Sequence, residues 1–192
     1  MDEEKAFDRL LWHFRDLALR RFGFGPWLCD LVSLLHTDVQ ATVQVNGFLS
    51  RSFAVQCGVR QGDPASPLLY ALVSECLACT LRARPAVVGV PMPVLGHRAL
   101  ISLYADDKDV FLADNNALIA FKDVMTQYEA ATGAKINTSK SRAMLLGPSA
   151  AVDFPDLHLR VLTDNETISC LGVSVGASVT DHDIWLQVLD KL

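Results

Sequence analysis

Two adjacent carboxylates, Asp106 and Asp107, stand in Leu103-Tyr104-Ala105-Asp106-Asp107 between two apolar stretches. Ionised neighbours repel each other and cannot be buried without a partner. Two readings fit: an exposed polar turn, or a site for a divalent cation with a preference for oxygen, such as Mg²⁺. A second segment, Gly58-Val-Arg60-Gln61-Gly62-Asp-Pro-Ala-Ser66-Pro67, opens an apolar run. Close glycines let backbone approach a ligand, and a helix start favours anions, so a phosphate-bearing substrate would suit it. For the segment alone a plain connecting loop, with Arg60 and Gln61 facing solvent, is the commoner reading. The third segment, Asp2-Glu-Glu-Lys-Ala-Phe7-Asp8, reads by itself as an acidic helix start.

The elements that must position these residues follow from periodicity. Residues 8–22 carry apolar side chains at mostly helical spacing, Gly23 and Gly25 stop that helix, and Pro26 suits the first turn of the next, to about His36. Val39–Val45 alternates and is followed by Asn46-Gly47, which predicts a hairpin returning over Ser50–Val55. Ser66 and Pro67 read as cap and first turn of a long helix to about Arg84. Leu100–Leu112 predicts two short strands around a tight turn containing Asp106 and Asp107. Asn115 or Asn116 caps a helix that Gly133 ends. Residues 142–146 and Ile168–Val175 read as strands. Strands grouped in hairpins rather than alternating with helices predict an α+β fold, an antiparallel sheet with helices packed on one face.

The chain has 192 residues, 51% hydrophobic and 20% charged, which excludes disorder and leaves room for a packed core without staples. Its net charge of −5 lies in residues 151–192, with 7 acidic and 2 basic side chains; residues 1–150 carry 15 of each. A weakly basic surface in the first part is compatible with nucleic acid once the aspartates hold metal. Five scattered cysteines suggest no disulfide framework and a reducing, intracellular compartment, nucleus or cytoplasm. Cys76 and Cys79 read as buried thiols. No apolar run reaches the roughly 18 residues of a membrane span, and the acidic start lacks the pattern of a signal peptide.

Taken together the segments resemble the reverse transcriptase domain of non-LTR (LINE-type) retrotransposons. Asp2–Asp8 looks like motif A, Gly58–Leu69 like motif B, Tyr104–Asp107 like motif C, Gly133–Ser141 like motif D and Cys170-Leu171-Gly172-Val173 like motif E. The resemblance implies a palm-like core over residues 1–150 and an acidic extension over 151–192 with a primer-grip-like strand near 168–175. It implies RNA-directed DNA polymerase activity with two Mg²⁺ ions, Mn²⁺ being possible, held by Asp2, Asp106 and Asp107. Asp2 and Asp106 would be the main ligands. Lys140 would serve as proton donor or charge partner of pyrophosphate. Phe7 would exclude a ribose hydroxyl, and Arg60, Gln61 and Gly62 would contact the incoming nucleotide. Tyr104, Leu171 and Gly172 would lie near the primer. The implied partners are an RNA or DNA template with its primer and deoxynucleoside triphosphates, with no membrane. The family's fingers and thumb have no counterpart in these motifs, so weak or absent polymerisation by the chain alone is expected. The rival reading is a catalytically silent palm-like module that binds RNA or a protein.

Overall fold

A computed structural model describes residues 1–92, 96–145, 159–163, 165–170, 173–176 and 178–180. In chain order its elements are helices α1 (Ala6–Arg9), α2 (Trp12–Arg21) and α3 (Pro26–Leu35), and strands β1 (Gln40–Ala41), β2 (Gln44–Val45), β3 (Phe48–Leu49) and β4 (Phe53–Ala54). Then come α4 (Ser66–Ala83), β5 (Val90–Pro91), β6 (Arg98–Ala99), β7 (Ile101–Tyr104), β8 (Asp107–Val110) and α5 (Asn115–Thr132). The last are β9 (Arg142–Met144), β10 (Arg160–Leu162), β11 (Ile168–Cys170) and β12 (Val173–Val175). Residues 4–83 with 123–135 make one compact unit; residues 1–3, 84–122 and 136–192 make the other.

The first unit is built on α1–α4. Its core joins Leu10, Leu19, Cys29, Val32, Val59, Leu69 and Val73, with Phe7, Phe14 and Leu28 packed against it. The single helix expected over residues 8–22 is instead broken, because Leu10 and Leu11 are extended. Their backbone groups are bonded elsewhere: the Leu10 carbonyl accepts the Gly58 N–H (2.8 Å), and the Leu11 N–H donates to the Thr132 carbonyl (2.9 Å). Distant partners here outweigh local helical spacing. Pro26 opens α3 and Gly133 ends α5 with a positive φ, as expected. Asn46 (φ 50) and Gly47 (φ 85) form the hairpin tip, the left-handed pair that an Asn-Gly turn provides. Around it the ladder is two short pieces, β2 against β3 and β1 against β4.

Two helix starts differ from expectation. Ser66 is already helical and buried, and the Asp63 carboxylate accepts the Ala65 N–H (2.9 Å). The Asp114 carboxylate, not Asn115 or Asn116, accepts the Ala117 N–H (2.8 Å). Cys79 is exposed and Cys76 only half-buried, so neither is the buried thiol expected; all five cysteines are free.

The second unit contains β7 and β8, paired antiparallel from Ile101 opposite Val110 to Tyr104 opposite Asp107. The turn is Ala105–Asp106, with Asp107 already in the returning strand. Within the span expected as one strand, β11 and β12 pair antiparallel, Ile168 opposite Val175. β9 and β10 run parallel. The mixture of helices with small, mostly antiparallel sheets agrees with α+β. The single antiparallel sheet expected is replaced, among the described residues, by six two-stranded ladders. Strands of two to four residues expose too few backbone groups to extend into one sheet. The expected division near residue 150 falls on residues 146–158, outside the described ones. Among the described residues no helix is long and apolar enough to cross a membrane.

Candidate active site

Met1–Glu3 lies beside β8. The Met1 amino group donates to the Lys108 carbonyl (2.7 Å), and the Lys108 N–H donates to the Met1 carbonyl (3.3 Å). On the other side Glu3 bridges Ile136, and the Asn137 N–H donates to the Asp2 carbonyl (2.9 Å). The Asp2 N–H donates to the buried Ser141 hydroxyl (3.0 Å). Motif D thus grips the backbone of Asp2. Its turn is closed by Asn137, whose carbonyl accepts the Ser141 N–H (2.8 Å) and whose side-chain oxygen accepts the Ser139 hydroxyl (2.7 Å).

Side chains alternate across an extended strand. Glu3 and Lys108 therefore point into the interior, where carboxylate and ammonium meet at 3.0 Å with side chains 1% and 0% exposed. Asp2, Asp107 and Asp109 point the other way. They line a cleft of about 330 Å³ together with Met1, Lys108, Lys140, Arg142, Ile168 and Ser169. Asp109 is already engaged: its Oδ2 accepts the Cys170 thiol at 2.8 Å. Burial, then the bond to Asp109 and that carboxylate's charge, push the Cys170 thiol up to about 11.

Of the residues expected from sequence, Asp2, Asp107 and Lys140 share this cleft. Asp106 and Tyr104 do not line it. Asp106 sits at the hairpin apex, exposed, because the register places Tyr104 opposite Asp107 and leaves a two-residue turn. Ala105 takes a positive φ of 53 there, a conformation costly for a residue with a side chain. Tyr104 is 70% exposed. Leu171 and Gly172 lie outside the described residues.

The residues expected to contact the nucleotide belong to the first unit. Arg60 and Gln61 are exposed in the loop before α4, and Gly62 turns that loop with φ 88 in open space. Gly58 has a different task from the ligand approach read from sequence: a Cβ there would stand 2.7 Å from the Asp8 carbonyl oxygen. Its bareness lets motif B pack on the backbone of Asp8, the last residue of motif A. Phe7 is half-buried, stacked on Tyr70 with centroids 4.7 Å apart.

Glu3, Lys108, Asp109, Ser141 and Arg142 are site residues the motifs did not announce. One signal was present: Lys108 is a charge on the strand face it shares with Ile101, Leu103 and Val110.

Mg²⁺ takes oxygen donors and is commonly held by one or two carboxylates plus substrate phosphates. Asp2 and Asp107, both lining the cleft, are carboxylates of that kind, so the residues fit such an ion. Among the described residues no group of three or more His, Cys, Asp or Glu side chains is gathered to hold an ion unaided.

Comparison with known proteins agrees with these motifs. The family model described as reverse transcriptase (RNA-dependent DNA polymerase) matches residues 1–175. The chain is 34% identical over 178 residues to the transposon TX1 uncharacterized 149 kDa protein of Xenopus laevis, covering 92% of this chain and 13% of that protein. It is 28% identical over 170 residues to the retrovirus-related Pol polyprotein from type-1 retrotransposable element R2 of Popillia japonica (86% and 23%). It is 29% identical over 140 residues to that of type-2 element R2DM of Drosophila melanogaster (73% and 13%). The chain thus spans less than a quarter of each of these relatives. With the family model matching nearly its whole length, the chain belongs to the reverse transcriptase (RNA-dependent DNA polymerase) family, in its non-LTR retrotransposon branch.

Proposed function

We propose that the chain carries the catalytic centre of an RNA-directed DNA polymerase, which adds deoxynucleotides to a primer 3′-hydroxyl and releases pyrophosphate. One observation carries the reading: Asp2 and Asp107, far apart in sequence, line one cleft with Lys140. Asp2 and Asp107 would hold a divalent cation together with the triphosphate of the incoming nucleotide, with Asp106 as the third carboxylate by resemblance. Two bound ions would lower the pKa of the 3′-hydroxyl and neutralise the leaving oxygens. The ammonium of Lys140 provides positive charge, or a proton, for the departing pyrophosphate. By resemblance, Arg60, Gln61 and Gly62 would contact the incoming nucleotide and Phe7 would exclude a ribose hydroxyl. By resemblance too, Tyr104, Leu171 and Gly172 would lie near the primer. Positioning and charge do this chemistry without a covalent intermediate.

Primer extension on an RNA template with Mg²⁺ and deoxynucleotides tests the reading. Extension that Asp2→Asn and Asp107→Asn each reduce at least a hundredfold supports it. A parent chain that binds primer–template but whose Mn²⁺ binding is unchanged in Asp2→Asn and Asp107→Asn would replace it with the silent RNA-binding module.

A further inference from the structure

We propose that the buried Glu3–Lys108 ion pair is a positioning device: it fixes the register of Met1–Glu3 against β8 and so sets how the Asp2 and Asp107 carboxylates are presented to the cation. The proposal rests on the reading of Asp2 and Asp107 as cation-holding groups. Each member of the pair follows one of those aspartates directly in the chain. Their side chains meet at 3.0 Å, almost wholly out of solvent.

A buried ion pair is a poor means of gaining stability, because desolvation consumes most of its attraction. Apolar pairs of similar volume usually serve as well or better, and the best-attested use of a buried charge is to fix register. Register is what this place demands. Backbone bonds repeat along an extended segment and hold it equally well in neighbouring positions. A slip by one residue would turn every side chain to the opposite face. It would put Asp2 into the interior and Glu3 on the cleft, with Asp107 no longer beside a carboxylate of the right length. Only the present register lets a carboxylate and an ammonium neutralise each other in the interior. The isolated bridge to Ile136, the reciprocal bonds to Lys108 and the bonds of the Asp2 backbone to Asn137 and Ser141 hold the main chain of this segment, and the pair adds to them the choice of which side chain faces inward.

The test replaces the pair in the full chain by E3L/K108L, which leaves the net charge unchanged. Mn²⁺ binding is read by calorimetry and thermal unfolding is followed in parallel. In the parent, Mn²⁺ binding that Asp2→Asn abolishes upholds the underlying reading; no such binding overturns that reading and the inference with it. The expected result is a melting temperature within a few degrees of the parent and Mn²⁺ affinity at least tenfold lower. Unchanged affinity in the folded variant overturns the proposal alone and leaves the cation reading standing. Should E3L/K108L fail to fold, the near-isosteric E3Q/K108M takes its place with the same two outcomes. Failure of both to fold makes the pair a requirement of folding and also overturns the proposal.

Discussion

Replacing Gly58 by alanine should cost far more than the loss of a loop glycine. Gly58 sits at φ 88, and an added Cβ would lie 2.7 Å from the Asp8 carbonyl oxygen and 2.9 Å from its carbon and Cα. Holding alanine in the left-handed region costs about 1–2 kcal/mol. Relieving a backbone overlap of this kind costs about 1–3 kcal/mol more. The movement cannot be free, because the Gly58 N–H is bonded to the Leu10 carbonyl (2.8 Å) and its own carbonyl accepts the Trp12 indole N–H (2.7 Å). The sum is about 2–5 kcal/mol. Gly23 supplies the control, since it has a similar φ of 85 with nothing within 4 Å of an added Cβ. Gly23→Ala should therefore cost only the first contribution, about 1–2 kcal/mol. Urea unfolding followed by circular dichroism and tryptophan fluorescence reads both variants. Equal midpoints for Gly58→Ala and Gly23→Ala would refute the packing argument and return Gly58 to a ligand-facing role.

Three further outcomes follow from the site. Ala105→Gly relieves the positive φ at the hairpin turn and should raise stability by up to about 1 kcal/mol, offset in part by glycine's entropy; a clear loss in thermal unfolding would contradict the assigned turn. Lys140→Ala should weaken pyrophosphate binding about tenfold while leaving Mn²⁺ binding by calorimetry nearly unchanged, and an equal fall in both would deny Lys140 its separate task. The Cys170 thiol ionises near 11 in the folded chain, so iodoacetamide should label it at pH 8 about tenfold more slowly than Cys170 in urea. Because the unfolded thiol loses its proton first as pH rises, this group's contribution to stability is intact below about pH 9 and is lost toward pH 11. Asp109→Asn should narrow that labelling difference.

The parts of this molecule that sequence reveals are those set by local chemistry. Asn46-Gly47, Pro26 and Gly133 do what their backbone preferences dictate, and the β7–β8 hairpin carries Asp107 where alternating strands lead. What escapes is decided by distant groups. The break at Leu10 and Leu11 exists because Gly58 and Thr132 bond their backbone, which no helical periodicity can show. Asp106 and Asp107 are neighbours in sequence, yet a two-residue turn sends one to the apex and the other to the cleft. Motif D was read as a lysine carrier, whereas Ser141 and Asn137 also hold the backbone of Asp2. The Glu3–Lys108 pair is invisible until the two segments are brought side by side.

The proposed catalysis requires Asp2 and Asp107 to act on one cation from a shared cleft. A double-mutant cycle with Asp2→Asn and Asp107→Asn, read as Mn²⁺ affinity, tests this most directly. Joint coordination predicts that either substitution removes most of the binding and that the second then removes little, a coupling of at least about 1.4 kcal/mol, or tenfold. Strictly additive losses, or full binding in either single variant, would contradict it.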